Sequence, residues 1–255
     1  MFETSWSIVN DCRIRVRHAG SGAPLLYLHG ANGVPQPPQF LNEFTRDRAV
    51  MIPEHPGFGE SDDPNWLECM DDLAYFYLDW LDQQKLDRLD VVGSSLGGWL
   101  AMELAIRQPR RFASLTLIGS AGLNPPPPGD EHNMFRWTPA ELVRNTFHDE
   151  ALVAAALSHP PDAATAAKNR HTITRLAWHP RLHHPMLHKR MHRLSMPVFL
   201  AWGEKDRVLP VTQLPAFQRC LPHARARIYP DCGHLPQVEC SADFSRDLQD
   251  FLRTL

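Results

Sequence analysis

A chain of 255 residues suits one large domain with a substantial core. Its composition is 43% hydrophobic and 22% charged, and no window supplies the roughly 20 uninterrupted apolar residues that a membrane-spanning helix needs. Lys and Arg total 26 against 29 Asp and Glu, a formal charge of -3, so no basic excess exists to bind a phosphate backbone, and neither nucleic acid nor membrane is an expected partner.

The first residues, Met1 to Trp6, lack a basic stretch followed by an apolar run, so a secretory leader is not expected and cytoplasmic residence is. Five cysteines (Cys12, Cys69, Cys220, Cys232, Cys240) form an odd set without CxxC spacing, which argues against a disulfide framework and a thiolate metal site.

In chain order, Ser5–Asn10 and Arg13–His18 read as a β-hairpin that extends one edge of a sheet in antiparallel sense. Short apolar runs follow at Pro24–Leu28, Leu89–Val92, Leu115–Ile118, Val198–Trp202 and Ala226–Tyr229, each too short for a helix. Helical patterns lie between and after them at Met70–Lys85, Leu96–Gln108 and Phe244–Leu252. Parallel strands need crossovers that return the chain to the same end, so this alternation predicts an α/β architecture, a doubly wound and mostly parallel sheet.

Residues 124–195 break the alternation. They open with Pro125–Pro128 and show helical stretches at Glu141–Phe147 and Glu150–Leu157 without a convincing strand, which predicts a helical cap inserted between two core segments, 1–123 and 196–255.

The residues that carry chemistry sit after strands. Gly93-Ser94-Ser95-Leu96-Gly97 joins a strand to a helix in the G-x-S-x-G pattern, where small residues let strand and helix approach and project the hydroxyl of Ser95 from a strained turn. A serine hydroxyl is a weak nucleophile and needs an oriented general base. His234, beyond the last strand, supplies the base, and Asp206, beyond the Val198 strand, supplies the orienting acid; Glu204 and Asp231 are alternatives for the acid. The order Ser, Asp, His along the chain is the one this strand-turn-helix context calls for. Backbone N–H groups of Ala31, in the turn after Pro24–Leu28, and of Leu96 are the expected oxyanion donors, with the Asn32 side chain as an alternative and His29 as a turn-shaping residue.

Taken in order, HGANG, HPGFGESDDP, GSSLGGW, WGEKDRVLP and CGHLPQVE resemble the capped α/β-hydrolase superfamily over nearly the whole chain outside the cap. The resemblance implies Ser95 as nucleophile, His234 as base, Asp206 as acid and Ala31 with Leu96 as oxyanion donors. It also implies that His55–Gly59 shapes the loop after the fourth strand. Serine at position 95 argues against the dehalogenases and epoxide hydrolases of the superfamily, which place a carboxylate there. Carbon–carbon bond hydrolases of ring-cleavage products look similar, but they typically carry tryptophan after the catalytic histidine and asparagine before the serine, where this chain has Leu235 and Ser94. These departures favour hydrolysis of a small-molecule carboxylic ester through an acyl-enzyme. The alternatives are a carbon–carbon hydrolase of a vinylogous diketo acid and a ligand-binding receptor without turnover. None of these chemistries calls for a cofactor or a metal.

The cap holds nine of the fourteen histidines, with His184, His188 and His192 spaced as metal ligands on one helical face would be. Pro185 disfavours helix at His184, and no carboxylate or cysteine lies between residues 163 and 195, so a solvated or pocket-lining histidine face is expected instead. Nine basic against six acidic residues give 124–195 a formal +3, expected on a polar exterior. Met134, Phe135, Trp137, Trp178, Leu182 and Met186 are candidates for an apolar pocket over Ser95 or for packing within the cap.

Overall fold

The computed structural model describes residues 1–123 and 132–255. Pro125–Pro128 and the predicted cap boundary at 124 lie outside the described residues. Eight strands, β1 (Glu3–Val9), β2 (Cys12–Ala19), β3 (Ala23–Leu28), β4 (Arg48–Pro53), β5 (Leu89–Ser94), β6 (Phe112–Ile118), β7 (Val198–Gly203) and β8 (Arg225–Tyr229), form one sheet in the order β1-β2-β4-β3-β5-β6-β7-β8. Pairs β1/β2 and β2/β4 are antiparallel, and all pairs from β4/β3 to β7/β8 are parallel.

The expected hairpin is present. Asn10 and Asp11 both adopt positive φ between the paired Val9 and Cys12, the backbone of a two-residue turn whose twist matches that of the flanking strands. β4 is an addition to the apolar runs read from sequence. It opens on Arg48 but holds the apolar run Ala49-Val50-Met51-Ile52, as short as the runs read elsewhere, so its signal was present and was passed over.

The helices are α1 (Leu41–Phe44), α2 (Met70–Gln83), α3 (Leu96–Arg107), α4 (Pro139–Thr146), α5 (Glu150–Ser158), α6 (Ala163–Ala177), α7 (Leu187–Arg190), α8 (Leu214–Cys220), α9 (Pro236–Glu239) and α10 (Ser241–Arg253). Two apolar clusters pack against the sheet. One brings β3, β5 and β6 side chains against α2 and α3, the other brings strand residues against α1 and α10, as a parallel sheet covered on both faces requires. No helix among the described residues is long and apolar enough to cross a membrane.

Helices α4 to α7 all lie between β6 and β7. The longest, α6, escaped the sequence reading because its core-facing side mixes polar Asn169 and Thr172 with Ile173 and Leu176, which blurs the helical apolar period. The sheet order reverses direction between β3 and β5, so a crevice opens at their carboxyl ends, where open α/β sheets bind ligands. The turns after these two strands carry His29–Gly33 and Ser95.

Candidate active site

Ser95 occupies the turn between β5 and α3 at φ 55° and ψ -113°, a conformation non-glycine residues rarely adopt. Close packing enforces it. A side chain on Gly93 would put Cβ 2.4 Å from the Gly97 oxygen, and one on Gly97 would lie 2.0 Å from the Leu28 oxygen. The Ser95 N–H donates to the Ile118 carbonyl at 2.8 Å, and its own carbonyl accepts from Gly98 and Ala121. Backbone bonds on both sides therefore hold the hydroxyl at the crevice.

Asp206 follows β7. Its Oδ1 accepts the N–H groups of Val208 (2.9 Å) and Leu209 (2.8 Å), which leaves Oδ2 to accept from Nδ1 of His234 at 2.7 Å. With Nδ1 carrying the proton, Nε2 of His234 is a free acceptor, and His234 and Ser95 line the same cavity. Gly119, with φ 45°, packs on this pair. A Cβ there would lie 3.1 Å from His234 Nδ1 and 3.2 Å from Asp206 Oδ2. The alternative acids go elsewhere: Glu204 pairs with Lys205 and accepts from the Asp231 N–H, and Asp231 faces His148.

The histidine loop is itself anchored. His234 N–H donates to the Thr146 carbonyl at the end of α4. Glu239 accepts from Gly233 N (2.8 Å) with one oxygen and from His148 N (2.8 Å) and Asp149 N (3.0 Å) with the other.

On the opposite side, residues 30–33 form a turn closed by the Gly33 N–H donating to the Gly30 carbonyl at 3.1 Å. Gly30 abuts the serine, since a Cβ there would sit 3.3 Å from that of Ser95. Ala31 lines the cavity, and Leu96, as the first residue of α3, has no carbonyl one turn back to receive its N–H.

His29 braces this turn from below. Its Nε2 accepts the His55 N–H at 2.9 Å, so Nδ1 bears the proton and donates to the Gly30 carbonyl at 2.8 Å. The His55 ring stacks on it with centroids 3.7 Å apart and reaches the His29 carbonyl and the Tyr77 hydroxyl. Burial pushes the His29 imidazole down to about 4 and the His55 imidazole well below its ordinary value, so both are neutral.

The cavity measures about 210 Å³. Its walls are Val34, Pro35, Pro38, Met134, Leu142, Val208, Leu235 and Val238, and its polar lining includes Tyr27, Ser94 and Gln237. Gln237 Nε2 donates to Ser94 Oγ at 3.0 Å, and burial pushes the Tyr27 phenol up to about 12, which keeps it neutral. No Lys or Arg is among the described residues that line it.

Of the six apolar candidates read from sequence, Met134 lines the cavity. Phe135 and Trp137 pack on the core, Leu182 is buried, and Trp178 and Met186 are about half exposed. Leu142, Thr146, Tyr27 and Gln237 were missed. Gln237 carried a signal, three residues after His234 on the short helix α9, whereas Tyr27 read only as a strand residue.

The three spaced histidines do not share a helical face, because α7 begins at Leu187, after His184 and Pro185. Among the described residues, Asp71, Glu103 and His184 converge closely enough to hold a cation. Arg107 already pairs with both carboxylates there, at 2.6 Å to Asp71 and 2.5 Å to Glu103, so a cation from within the chain already serves the cluster.

A profile of the family described as alpha/beta hydrolase fold matches residues 23–240. The chain is 27% identical over 260 residues to a 2-hydroxymuconate semialdehyde hydrolase of Pseudomonas putida, covering 94% of this chain and 90% of that protein. It is 26% identical to a 2-hydroxy-6-oxo-2,4-heptadienoate hydrolase of another P. putida strain, covering 91% and 90%. The crystal structure of a meta-cleavage product hydrolase variant superposes with a TM-score of 0.85 at 19% identity, covering 98% of both chains.

Proposed function

The chain belongs to the α/β hydrolase fold family, and on that premise we propose that it is a serine hydrolase in which Ser95, His234 and Asp206 act as a triad. The observation that carries this reading is the 2.7 Å bond from His234 Nδ1 to Asp206 Oδ2 inside a cavity shared with Ser95. It orients the imidazole so that Nε2 can take the Ser95 proton, and Asp206 then stabilises the imidazolium. Ser95 Oγ adds to a substrate carbonyl, and the oxyanion is met by the N–H groups of Ala31 and Leu96. The tetrahedral adduct collapses as His234 returns its proton to the leaving group. Water, deprotonated by His234, adds to the acyl-enzyme, and its collapse releases the acid and restores Ser95. Helices α4 to α7, within residues 124–195, serve as the cap over this site.

For the bond broken, the relatives support carbon–carbon cleavage of a vinylogous diketo acid, which reverses the preference drawn from Leu235 and Ser94 alone. Two such proteins align over nine-tenths of this chain. In that reaction the leaving carbon departs as an enol after protonation. A second reading, hydrolysis of a small carboxylic ester, has its own support: the described lining carries no Lys or Arg to hold a substrate carboxylate.

The test is a comparison of kcat/KM for a vinylogous diketo acid against short-chain p-nitrophenyl esters, with fluorophosphonate labelling as the second readout. A serine hydrolase labels at Ser95, and Ser95→Ala loses both label and turnover. A higher ratio for the diketo acid supports the first reading; a higher ratio for the esters overturns it in favour of the second. Tight ligand binding that survives Ser95→Ala, in a parent without turnover, would make the chain a receptor instead.

A further inference from the structure

One residue far from Ser95 in sequence is bonded to the turn that carries Ala31. Asn169, on α6, is buried, and both ends of its carboxamide are committed to backbone. Nδ2 donates to the Asn32 carbonyl at 3.1 Å, and Oδ1 accepts the Gly59 N–H at 3.0 Å. Since a carbonyl needs a donor and an N–H needs an acceptor, only this orientation of the amide serves both.

The link to chemistry runs through two planar peptides. The Asn32–Gly33 peptide carries the carbonyl held by Asn169 and the Gly33 N–H. That N–H donates to the Gly30 carbonyl, which shares a peptide plane with the Ala31 N–H. Holding the Asn32 oxygen therefore sets the tilt of the second peptide and, through one hydrogen bond, the direction of the Ala31 donor. Gly33 keeps the contact close: its φ is 77°, and a Cβ would lie 3.0 Å from Asn169 Nδ2.

The helix is in turn immobilised against the loop after β4. Thr172 Oγ1 donates to the Gly57 carbonyl at 2.6 Å, Lys168 Nζ reaches the carbonyls of Gly59 and Ser61, and Arg175 pairs with Asp63.

We propose that Asn169 is a positioning residue for the oxyanion turn, so that the helix between β6 and β7 tunes transition-state stabilisation without touching substrate. The proposal rests on the serine-hydrolase reading above, with Ala31 as oxyanion donor. Oxyanion contacts act on the transition state more than on bound substrate, so the effect belongs in kcat and not in KM.

The experiment uses the full chain and whichever ester or diketo acid the parent turns over best. Asn169→Asp keeps an acceptor for Gly59 and removes the donor to Asn32. It should lower kcat by about 10- to 100-fold with KM within about threefold, and weaken binding of phenylboronic acid, a tetrahedral adduct former at serine, by a similar factor. Thr172→Val cuts a neighbouring anchor of the same helix that does not reach the turn, and should leave kcat within about twofold of the parent. Thermal unfolding of each variant reports folding. The neutral Asn169→Ser, which removes the donor to Asn32 without a carboxylate that would itself repel the oxyanion, carries the same expectation and serves alone if Asn169→Asp does not fold; a loss confined to Asn169→Asp is charge repulsion and overturns the proposal.

Unchanged kcat and boronate affinity in a folded Asn169→Asp protein, or an equal loss in Thr172→Val, overturns the proposal while the hydrolase reading stands. A parent that neither turns over nor labels at Ser95 removes that reading, and this proposal with it.

Discussion

The two walls that face each other across Ser95 are held by different chemistry. The base wall relies on carboxylates: Asp206 holds His234, and Glu239 accepts three N–H groups that join the histidine loop to the end of α4 and the start of α5. The oxyanion wall is held without a carboxylate, by the Asn169 carboxamide, the stacked His29 and His55 imidazoles, and the Arg17 guanidinium on the Val34 and Pro35 carbonyls. The difference follows from the charge each wall is proposed to meet. In the proposed mechanism an imidazolium forms on one side and gains from fixed anions, whereas an oxyanion forms on the other, where a carboxylate would repel it.

Three perturbations separate the walls. The largest effect is expected from Asp206→Asn, which breaks the base wall by allowing the wrong imidazole tautomer. kcat should fall about 10⁴-fold with the fold retained, and a loss under tenfold would remove Asp206 from the triad.

Acid should act on the oxyanion wall through His29. His29 titrates near 4 when folded and near its ordinary 6.5 when unfolded, so between these values the unfolded chain binds more protons. Its contribution is therefore fully present above about 6.5 and is lost as pH falls toward 4, by about 3 kcal/mol in all. Urea unfolding from pH 7 to 4 measures this, and a parent curve parallel to that of His29→Gln across the window would contradict it.

The smallest effect is expected from Glu239→Gln, which presents an amide donor to one of the N–H groups the carboxylate accepts. A roughly tenfold loss in kcat, about 1.4 kcal/mol, is expected, with phenylboronic acid affinity less affected than by Asn169→Asp. Equal effects of the two variants on boronate binding would erase the distinction between the walls.

Much of the scaffold was legible because it is written in short stretches. The apolar runs that became β3, β5, β6 and β7 are local, as are the short stretch that became the edge strand β8, where only Tyr229 is buried, and the glycine spacing around Ser95 that a close strand-helix approach demands. β4 was legible in Ala49-Val50-Met51-Ile52 and was passed over, whereas α6 was not legible, since a helix burying Asn169 and Thr172 lacks the apolar period that marks such an element. The pocket was read poorly for the same reason. Whether Met134 or Trp178 reaches a cavity depends on how helices pack on the core, and nothing in either residue's neighbourhood states it.

By itself, the sequence determined an α/β hydrolase chain with Ser95, Asp206 and His234 in workable order after successive strands, because strand ends and tight turns obey local rules. The tertiary structure set Asp206, already preferred from sequence, and not Glu204 or Asp231 against His234, and only it left the described cavity lining without a cation and brought Asn169 to the turn. The bonds from Asn169 span 137 residues to Asn32 and 110 to Gly59. Contacts at such separations depend on how sheet and helices pack together, and no local pattern of residue types encodes them.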